Sequence, residues 1–473
     1  MIIVKLCTCF FNVFKLCTFT ILKHTYLLTF FMKIKMQTLQ QLKDGKLIGN
    51  RQLKLSEELT EFPREIFTLH ETLELLDLSN NLIDELPEEM YLLKKLKIVF
   101  FSFNKFKEFP SQLSKCSSLT MIGFKSNKIN LIPENSFPLK LQWLILTDNE
   151  IKHLPISIGN AALLQKCGLA GNRIEYLPES MKQCENLELL RISANKLSKL
   201  PDWLLSLPKL AWLAFSGNPC SDIRAIKNNL PLIAWDEFII EKTLGEGASG
   251  IIYQAHWITK NKSVAIKVFK GEVTSDGLPV DELNTCISTG YHNNIIPLKG
   301  ILKQHPQQKE GIVMELIPPN FKNLGNPPSY STCTRDTFDC KTQFTLTEGI
   351  SILIKCADAS IHLHSKGILH GDLYAHNILH NPQGDIYLGD FGAASFYNQN
   401  NLQSENIEKL DVSAFGCLTE DILVRIEIAP KNVLYALQKL KEKCTHREVA
   451  ERPSFLEIAS QLKVINENRD TLS

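Results

Sequence analysis

Seven asparagines recur at a nearly constant interval through the first half of this sequence. Asn81, Asn104, Asn127, Asn149, Asn172, Asn195 and Asn218 stand 23, 23, 22, 23, 23 and 23 residues apart. Each belongs to a unit L-x-x-L-x-L-x-x-N-x-L-x-x-L-P, with apolar replacements at the leucine places. Leu73, Leu76, Leu78, Asn81, Ile83, Leu86 and Pro87 form one copy; Leu141, Leu144, Leu146, Asn149, Ile151, Leu154 and Pro155 form another. A degenerate unit precedes them at about Leu53 to Pro63. A period of this length admits few folds. One unit is too small to bury its own leucines, so neighbours must stack to build a core. The L-x-L step predicts a short strand with its leucines turned inward. A buried Asn can satisfy backbone groups at the turn and form a ladder down the stack. The Leu-Pro step ends the extended leg, because Pro has no N–H to give to a ladder. A chance period in a helical domain would not bring seven asparagines into register.

On these residues the segment 53–220 resembles the leucine-rich-repeat family, with the whole domain placed at 37–220. The resemblance implies an α/β solenoid. Its concave face would carry Asp77, Ser79, Phe100, Ser102, Gly123, Lys125, Ile145, Thr147, Gly168, Ala170, Arg191, Ser193, Ala214 and Ser216. Such a face implies a protein partner or substrate. Phe100, Phe101 and Phe103 cluster in one unit. Either Phe101 is core and the other two are incidental, or the cluster is a hot spot for a partner.

With 473 residues the chain has room for two to three domains. A formal net charge of +1 and the absence of a long basic run give no electrostatic case for nucleic acid. The 13 cysteines include no C-x-x-C pair, and no His-rich tract accompanies Cys333 and Cys340. This predicts mostly free thiols in a reducing, cytoplasmic compartment. Residues 1–36 are apolar, but Lys5, Lys15 and Lys23 break the runs well below the ~18 residues of a spanning helix. The segment reads as a non-native or disordered extension rather than a membrane anchor or secretory signal. Residues 221–235 read as a linker, and Asp222, Arg224 and Lys227 exclude a spanning helix there. No G-x-x-x-x-G-K-[ST] loop is present, which excludes a GTPase domain.

The second half carries chemistry. Residues 370–377 include Asp372 and, five positions on, Asn377; Asp390 follows in Asp-Phe-Gly. A carboxylate, an amide and a second carboxylate in that order suit metal-assisted phosphoryl transfer, one orienting a hydroxyl and two holding Mg²⁺ against phosphates. Upstream, Gly245, Glu246, Gly247, Ala248, Ser249 and Gly250 form a G-x-G-x-x-G between two strand-like runs, Phe238 to Leu244 and Ile251 to His256. A dinucleotide fold would instead want strand, glycines, helix. The order here predicts a hairpin over phosphates. Lys267 ends an apolar Val-Ala-Ile run 17 residues after Gly250, well placed for the α- and β-phosphates. Its ion-pair partner is assigned to Glu282, with Asp281 the alternative.

Taken in order, these motifs resemble the eukaryotic-type protein kinase, over about residues 236–465 within a domain set at 236–473. The combination is most similar to soluble repeat–kinase proteins with an H-G-D-L-Y-x-H-N loop. The resemblance implies an α+β two-lobed fold that binds ATP through the glycine loop, Ile252, Ala265, Lys267, Glu282, Met314, Glu315 and Ile317. It implies Asp372 as catalytic base and Asn377 and Asp390 as Mg²⁺ ligands. Gly349 to Lys366 reads as the helix before the catalytic loop, Asp411 to Gly416 as part of the core helix of the second lobe, and Arg452 to Phe455 as the late R-P-S-F element. Several positions depart from the family. Gly371 replaces the arginine of H-R-D, Tyr374 stands where serine/threonine kinases carry Lys, and His376 where tyrosine kinases carry Arg. Only residues 393–410 separate Gly392 from Asp411, which predicts a truncated activation segment with Ser395, Tyr397 and Ser404 as its hydroxyls. Arg452 then lacks its usual glutamate; Glu408 is a candidate that sits too close to Asp411. Three readings follow: an active kinase, serine/threonine in type; a nucleotide-binding pseudokinase; or a scaffold whose second half only folds.

Overall fold

Every 22 or 23 residues the first half lays down a three-residue strand: Gln52–Lys54 (β1), Leu75–Asp77 (β2), Ile98–Phe100 (β3), Met121–Gly123 (β4), Trp143–Ile145 (β5), Lys166–Gly168 (β6), Leu189–Arg191 (β7) and Trp212–Ala214 (β8). They pair in chain order as one parallel eight-stranded sheet in this computed structural model. The structure describes residues 36–221, 230–247, 249–271 and 273–467. The extension expected at 1–36 lies outside them except for Met36, as do Asp222, Arg224, Lys227 and Ala248.

The asparagines do what their register requires. Asn149 donates its amide to the carbonyls of Phe124 (2.9 Å) and Leu146 (3.1 Å) and accepts from the Ile129 N–H (3.0 Å). One side chain thus ties its own unit to the one before it, and Asn104, Asn172, Asn195 and Asn218 repeat the pattern. The returning legs correct one expectation. They are 3₁₀ turns such as Glu88–Leu92 and Ser111–Lys115, each begun by the proline of the Leu-Pro step, and the α-helix described in this half is the short Leu39–Lys43 (α1). After strand, turn and extended leg, a 23-residue unit has too little chain left for a helix. Phe101 is core, stacked on Phe124 at 5.2 Å; Phe103 is exposed; Phe100 lies 5.9 Å from Tyr330 of the second half.

The second half opens with Leu232–Ala234 (β9), inside the stretch read as a linker. The strand instead closes the edge of a sheet, parallel to Leu298–Lys303 (β13), because the apolar Ile233 is buried there. The other strands are Phe238–Glu246 (β10), Gly250–Trp257 (β11), Lys262–Phe269 (β12) and Gly311–Glu315 (β14), in the order β10-β11-β12-β14-β13-β9. Pro279–Thr289 (α2) packs beneath them and, with the sheet, forms the first lobe. The second lobe carries Leu346–Ser365 (α3), Ser404–Leu423 (α4), Lys431–Cys444 (α5) and Phe455–Glu467 (α6). Thr345 caps α3, accepting from the Glu348 N–H at 3.2 Å, and α3 is buried on most sides through Ile350, Leu353, Cys356, Ala357 and Leu363. Short strands sit on top: Lys322–Asn323 (β15), Ile378–His380 (β17) and Ile386–Leu388 (β18) form one sheet, and Ile368–Leu369 (β16) pairs Ser395–Phe396 (β19).

The two halves share their cores. Leu189, Ala211 and Trp212 of the first half are buried among the side chains of the second lobe. Leu369, Tyr397, Ile407 and Leu410 are buried with the leucines of the first half. In β8, Leu213 faces inward, so Trp212 points out of the sheet, as alternation along a strand demands. Much of the concave face that the sequence assigns to a separate partner is therefore covered by the chain itself.

Candidate active site

Four elements bring their residues to the cleft between the lobes. β10 and β11 form the glycine hairpin, closed by the Gly247 N–H on the Gly250 carbonyl at 2.9 Å. A Cβ built on Gly245 or Gly247 would meet nothing within 4 Å, whereas one on Gly250 would meet the Val268 carbonyl at 2.6 Å. Gly250 is demanded by the chain's own packing. At Gly245 and Gly247 the bare backbone faces open space, which suits close approach of a phosphate. Glu246 pairs Lys270 at 2.8 Å, and Ser249 lies on the same hairpin.

β12 brings Lys267 to the cleft floor and α2 brings Glu282 to meet it; the two side chains are buried and ion-paired. Asp281, one residue away around the helix, points instead toward Gly217 of the first half. Burial opposes the charge on Lys267, but Asp390 and Glu282 outweigh it and hold the ammonium charged above its ordinary range. Burial likewise opposes ionisation of Asp390, yet Lys267, the Gly392 N–H, His370 and His376 keep its carboxyl below the ordinary value. Ile252, Lys267, Glu282, Met314 and Asp390 line a cavity of about 100 Å³. Ala265 lies opposite Met314 across the strand pair, Glu315 ion-pairs with Lys299 at the strand end, and Ile317 follows, half-buried. A larger cavity of about 420 Å³ lies away from all of these, between Lys322–Asn326 and Phe338–Phe344.

The loop after β16 holds the third group. The buried carboxylate of Asp411 on α4 accepts the N–H groups of His370 (2.9 Å) and Gly371 (3.0 Å), which sets the loop's path. Asn377 then donates to the Asp372 carboxylate at 2.7 Å and to its carbonyl at 2.9 Å. Asn377 and Asp390 offer hard oxygen donors of the kind Mg²⁺ takes. Among the described residues no cluster of three His, Cys, Asp or Glu side chains could hold a metal unaided. An ion here would complete its shell with water and phosphate oxygens, the usual state of Mg²⁺ at nucleotide sites.

The departures have structural causes. Gly371 has φ +68°, and a Cβ there would meet the Leu213 carbonyl at 2.4 Å, so a strand of the first half occupies the space of any side chain. Tyr374 stacks on Trp212 with centroids 4.3 Å apart and planes 7° off parallel. His376 packs as a structural residue but also carries an ion pair, to Asp336 at 2.7 Å. Burial opposes its protonation, and Asp336 overcomes this and raises it above the ordinary histidine range. The segment 393–410 is indeed short: β19 leads through one turn straight into α4. Ser395 is buried and accepts the Phe215 N–H at 3.0 Å; Tyr397 donates to Glu408 at 2.6 Å. Glu408 is thus not the partner of Arg452. The buried Arg452 donates to the carbonyls of His446, Lys409 and Pro208, the last at 2.8 Å from the first half. With no carboxylate beside it, burial lowers it to about 10.

Sequence reasoning left Trp212, Asp276 and Asp336 without a role and placed Arg191 only on the concave face offered to a partner. Arg191 ion-pairs with Asp372 and, at 2.8 Å, with Asp276 of the first lobe. Its signal was visible as a lone charge among Gly168, Ala170, Ser193 and Ala214 on the concave face.

Residues 238–412 match the family model described as the protein kinase domain. The chain is 28% identical to cyclin-dependent kinase 11.1 of Caenorhabditis elegans over 34% of its own length and 22% of that protein. It is 30% identical to the serine/threonine-protein kinase PITSLRE of Drosophila melanogaster over 34% of its length and 16% of that protein. The probable serine/threonine-protein kinase gdt4 of Dictyostelium discoideum is also 30% identical, over 34% of this chain and 9% of its own. The chain thus spans less than a quarter of these relatives. The second half is a two-lobed protein kinase domain. Among the described residues no helix is long and apolar enough to cross a membrane.

Proposed function

We propose that the chain is an ATP- and Mg²⁺-dependent protein kinase of the serine/threonine type, moving a γ-phosphate to a protein hydroxyl. The observation that carries this is the convergence of Lys267 paired to Glu282, Asp390, and Asp372 held by Asn377 beneath an open glycine hairpin. Lys267 would hold the α- and β-phosphates, Met314 to Ile317 would border the base, and Asn377 and Asp390 would hold the metal. Bound Mg²⁺ supplies charge neutralisation on the phosphates. Asp372 accepts the proton of the acceptor hydroxyl as it attacks. The names of the relatives support the serine/threonine assignment. The first half is proposed to be a leucine-rich-repeat solenoid, on its registered asparagines and parallel strands. A protein partner or substrate would dock on the part of its face left open, around Ser79, Ser102, Phe103 and Lys125. The ten described cysteines are all unpaired, which supports a reducing, cytoplasmic setting.

One observation favours the pseudokinase reading: both carboxylate oxygens of Asp372 are already engaged, by Arg191 and by Asn377. Calorimetry of ATP with and without Mg²⁺, paired with a phosphotransfer assay, separates the two. Lys267→Met and Asp390→Asn should weaken Mg²⁺-ATP binding. Asp372→Asn should keep binding and lose about 10²-fold or more in turnover. Equal affinity in all proteins sinks the site assignment; binding without any turnover sinks the enzyme.

A further inference from the structure

The active-site loop gives the Asp372 carboxylate no hydrogen-bonded cation of its own. Gly371 has no side chain, Tyr374 is spent on the stack with Trp212, and His376 is tied to Asp336. A cation is nevertheless there, from β7 of the first half. Arg191 is buried, and its guanidinium donates in three directions: Nε to Asp276 at 2.8 Å, Nη1 to the Gly371 carbonyl at 2.9 Å, and Nη2 to the Asp372 carboxylate. We infer that Arg191 is a positioning residue for phosphoryl transfer, supplied to the kinase domain by the repeat half, which fixes the Asp372 carboxylate from the side opposite Asn377.

The inference rests on the phosphoryl-transfer reading of the site. Three features carry it. First, a planar guanidinium with its donors spread in a fork defines an orientation that a flexible ammonium does not. Here the fork is itself held from the first lobe by Asp276, so one side chain ties the repeat half, the first lobe and the base together. Second, the contact is built into the loop. Gly371 lets β8 approach, and a side chain at that position would strike the Leu213 carbonyl. Third, Arg191 does not dismantle the site. The Lys267–Glu282 pair forms and Asp390 faces Lys267 while Arg191 is in place. Beside Asp372 the two halves enclose a cavity of about 330 Å³, lined among others by Thr147, Lys166, Arg191, Ser275 and Asp372. An acceptor side chain has room there next to the carboxylate.

The test uses the full chain. Compare Arg191→Lys, Arg191→Gln, Arg191→Ala and Asp372→Asn by steady-state kinetics and by calorimetry with Mg²⁺-ATP, with retained nucleotide affinity as the check on folding. Arg191→Gln should lose about 10²-fold in kcat, in the range seen for single electrostatic donors, with KM for ATP and Mg²⁺-ATP affinity near wild type. Arg191→Lys should recover only part of that loss, because an ammonium does not hold three acceptors in a fixed fork, and millimolar guanidinium should restore turnover to Arg191→Ala. A kcat in Arg191→Gln equal to wild type overturns the assignment. A raised kcat also overturns it, and makes Arg191 a clamp that holds the base shut. Turnover and nucleotide affinity falling together, with no rescue by Lys or guanidinium, reduce Arg191 to packing. Absence of turnover in wild type as well overturns the kinase reading on which the inference stands, and is distinguishable because Mg²⁺-ATP would still bind.

Discussion

Trp212→Ala should uncouple the two halves. Trp212 is 1% exposed, stacked at 4.3 Å on a Tyr374 that is itself buried, and its indole N–H reaches the Leu373 carbonyl at 3.4 Å. A tryptophan buries about 200 Å², which at about 25 cal/mol per Å² is a ceiling near 5 kcal/mol. The unfolded chain already hides part of that area, so a loss of about 3–5 kcal/mol is expected, as for other buried aromatic-to-alanine changes. About 1 kcal/mol of it belongs to the ring pair itself. The first half keeps its own leucine core, since Leu213 and Leu210 remain in place. The wild type should therefore unfold in urea as one transition, and the variant as two, read by circular dichroism and by loss of nucleotide binding. A double-mutant cycle with Tyr374→Ala should show coupling of at least about 1 kcal/mol. A single transition within about 1 kcal/mol of wild type, with no coupling, would refute the idea that this ring joins the halves.

Further outcomes are expected. Asn149→Ala leaves the Ile129 N–H without a partner and takes away one of the two amide donors on each of the Phe124 and Leu146 carbonyls, which keep Asn127 and Asn172; it should cost about 1–3 kcal/mol in thermal or denaturant unfolding, and more than Asn127→Ala, because Asn127 is only half-buried. Burial against the first half pushes Asp281 up to about 6 from 3.8. With the folded value raised, the acid form favours the fold at low pH and that contribution is lost as pH rises through 6. Two pH units set a ceiling of about 3 kcal/mol, which partial exposure lowers to about 1. Asp281→Asn should accordingly stabilise above pH 6 and flatten the stability profile between pH 4 and 6. Replacing Ser395, Tyr397 and Ser404 by Ala, Phe and Ala should leave turnover near wild type, because the first two are buried and bonded within the fold. A triple variant as inactive as Asp372→Asn would show that the short segment is a phosphorylation switch after all.

Local pattern settled much of this protein. A 23-residue period with an asparagine at one place in each unit has one way to satisfy its turns, so the parallel strands and the asparagine ladder were legible residue by residue. The same is true of Lys267, Glu282, Asp372, Asn377 and Asp390: their order and spacing place them on consecutive elements of one cleft, and the structure brings them together. The choice between Glu282 and Asp281 needed the helix to be seen, because adjacent residues differ by about a hundred degrees around its axis. What the pattern could not reveal is how the halves meet. Gly371, Tyr374 and the missing glutamate of Arg452 look like losses when the kinase domain is read by itself. Each is filled by the first half, through the Leu213 carbonyl, the Trp212 ring and the Pro208 carbonyl. Arg191 lies 181 residues from Asp372 in the chain, and their contact comes from how the two surfaces fit. No periodicity encodes such a fit, because it depends on side chains that stacking turns outward and that each half, taken alone, would leave to solvent.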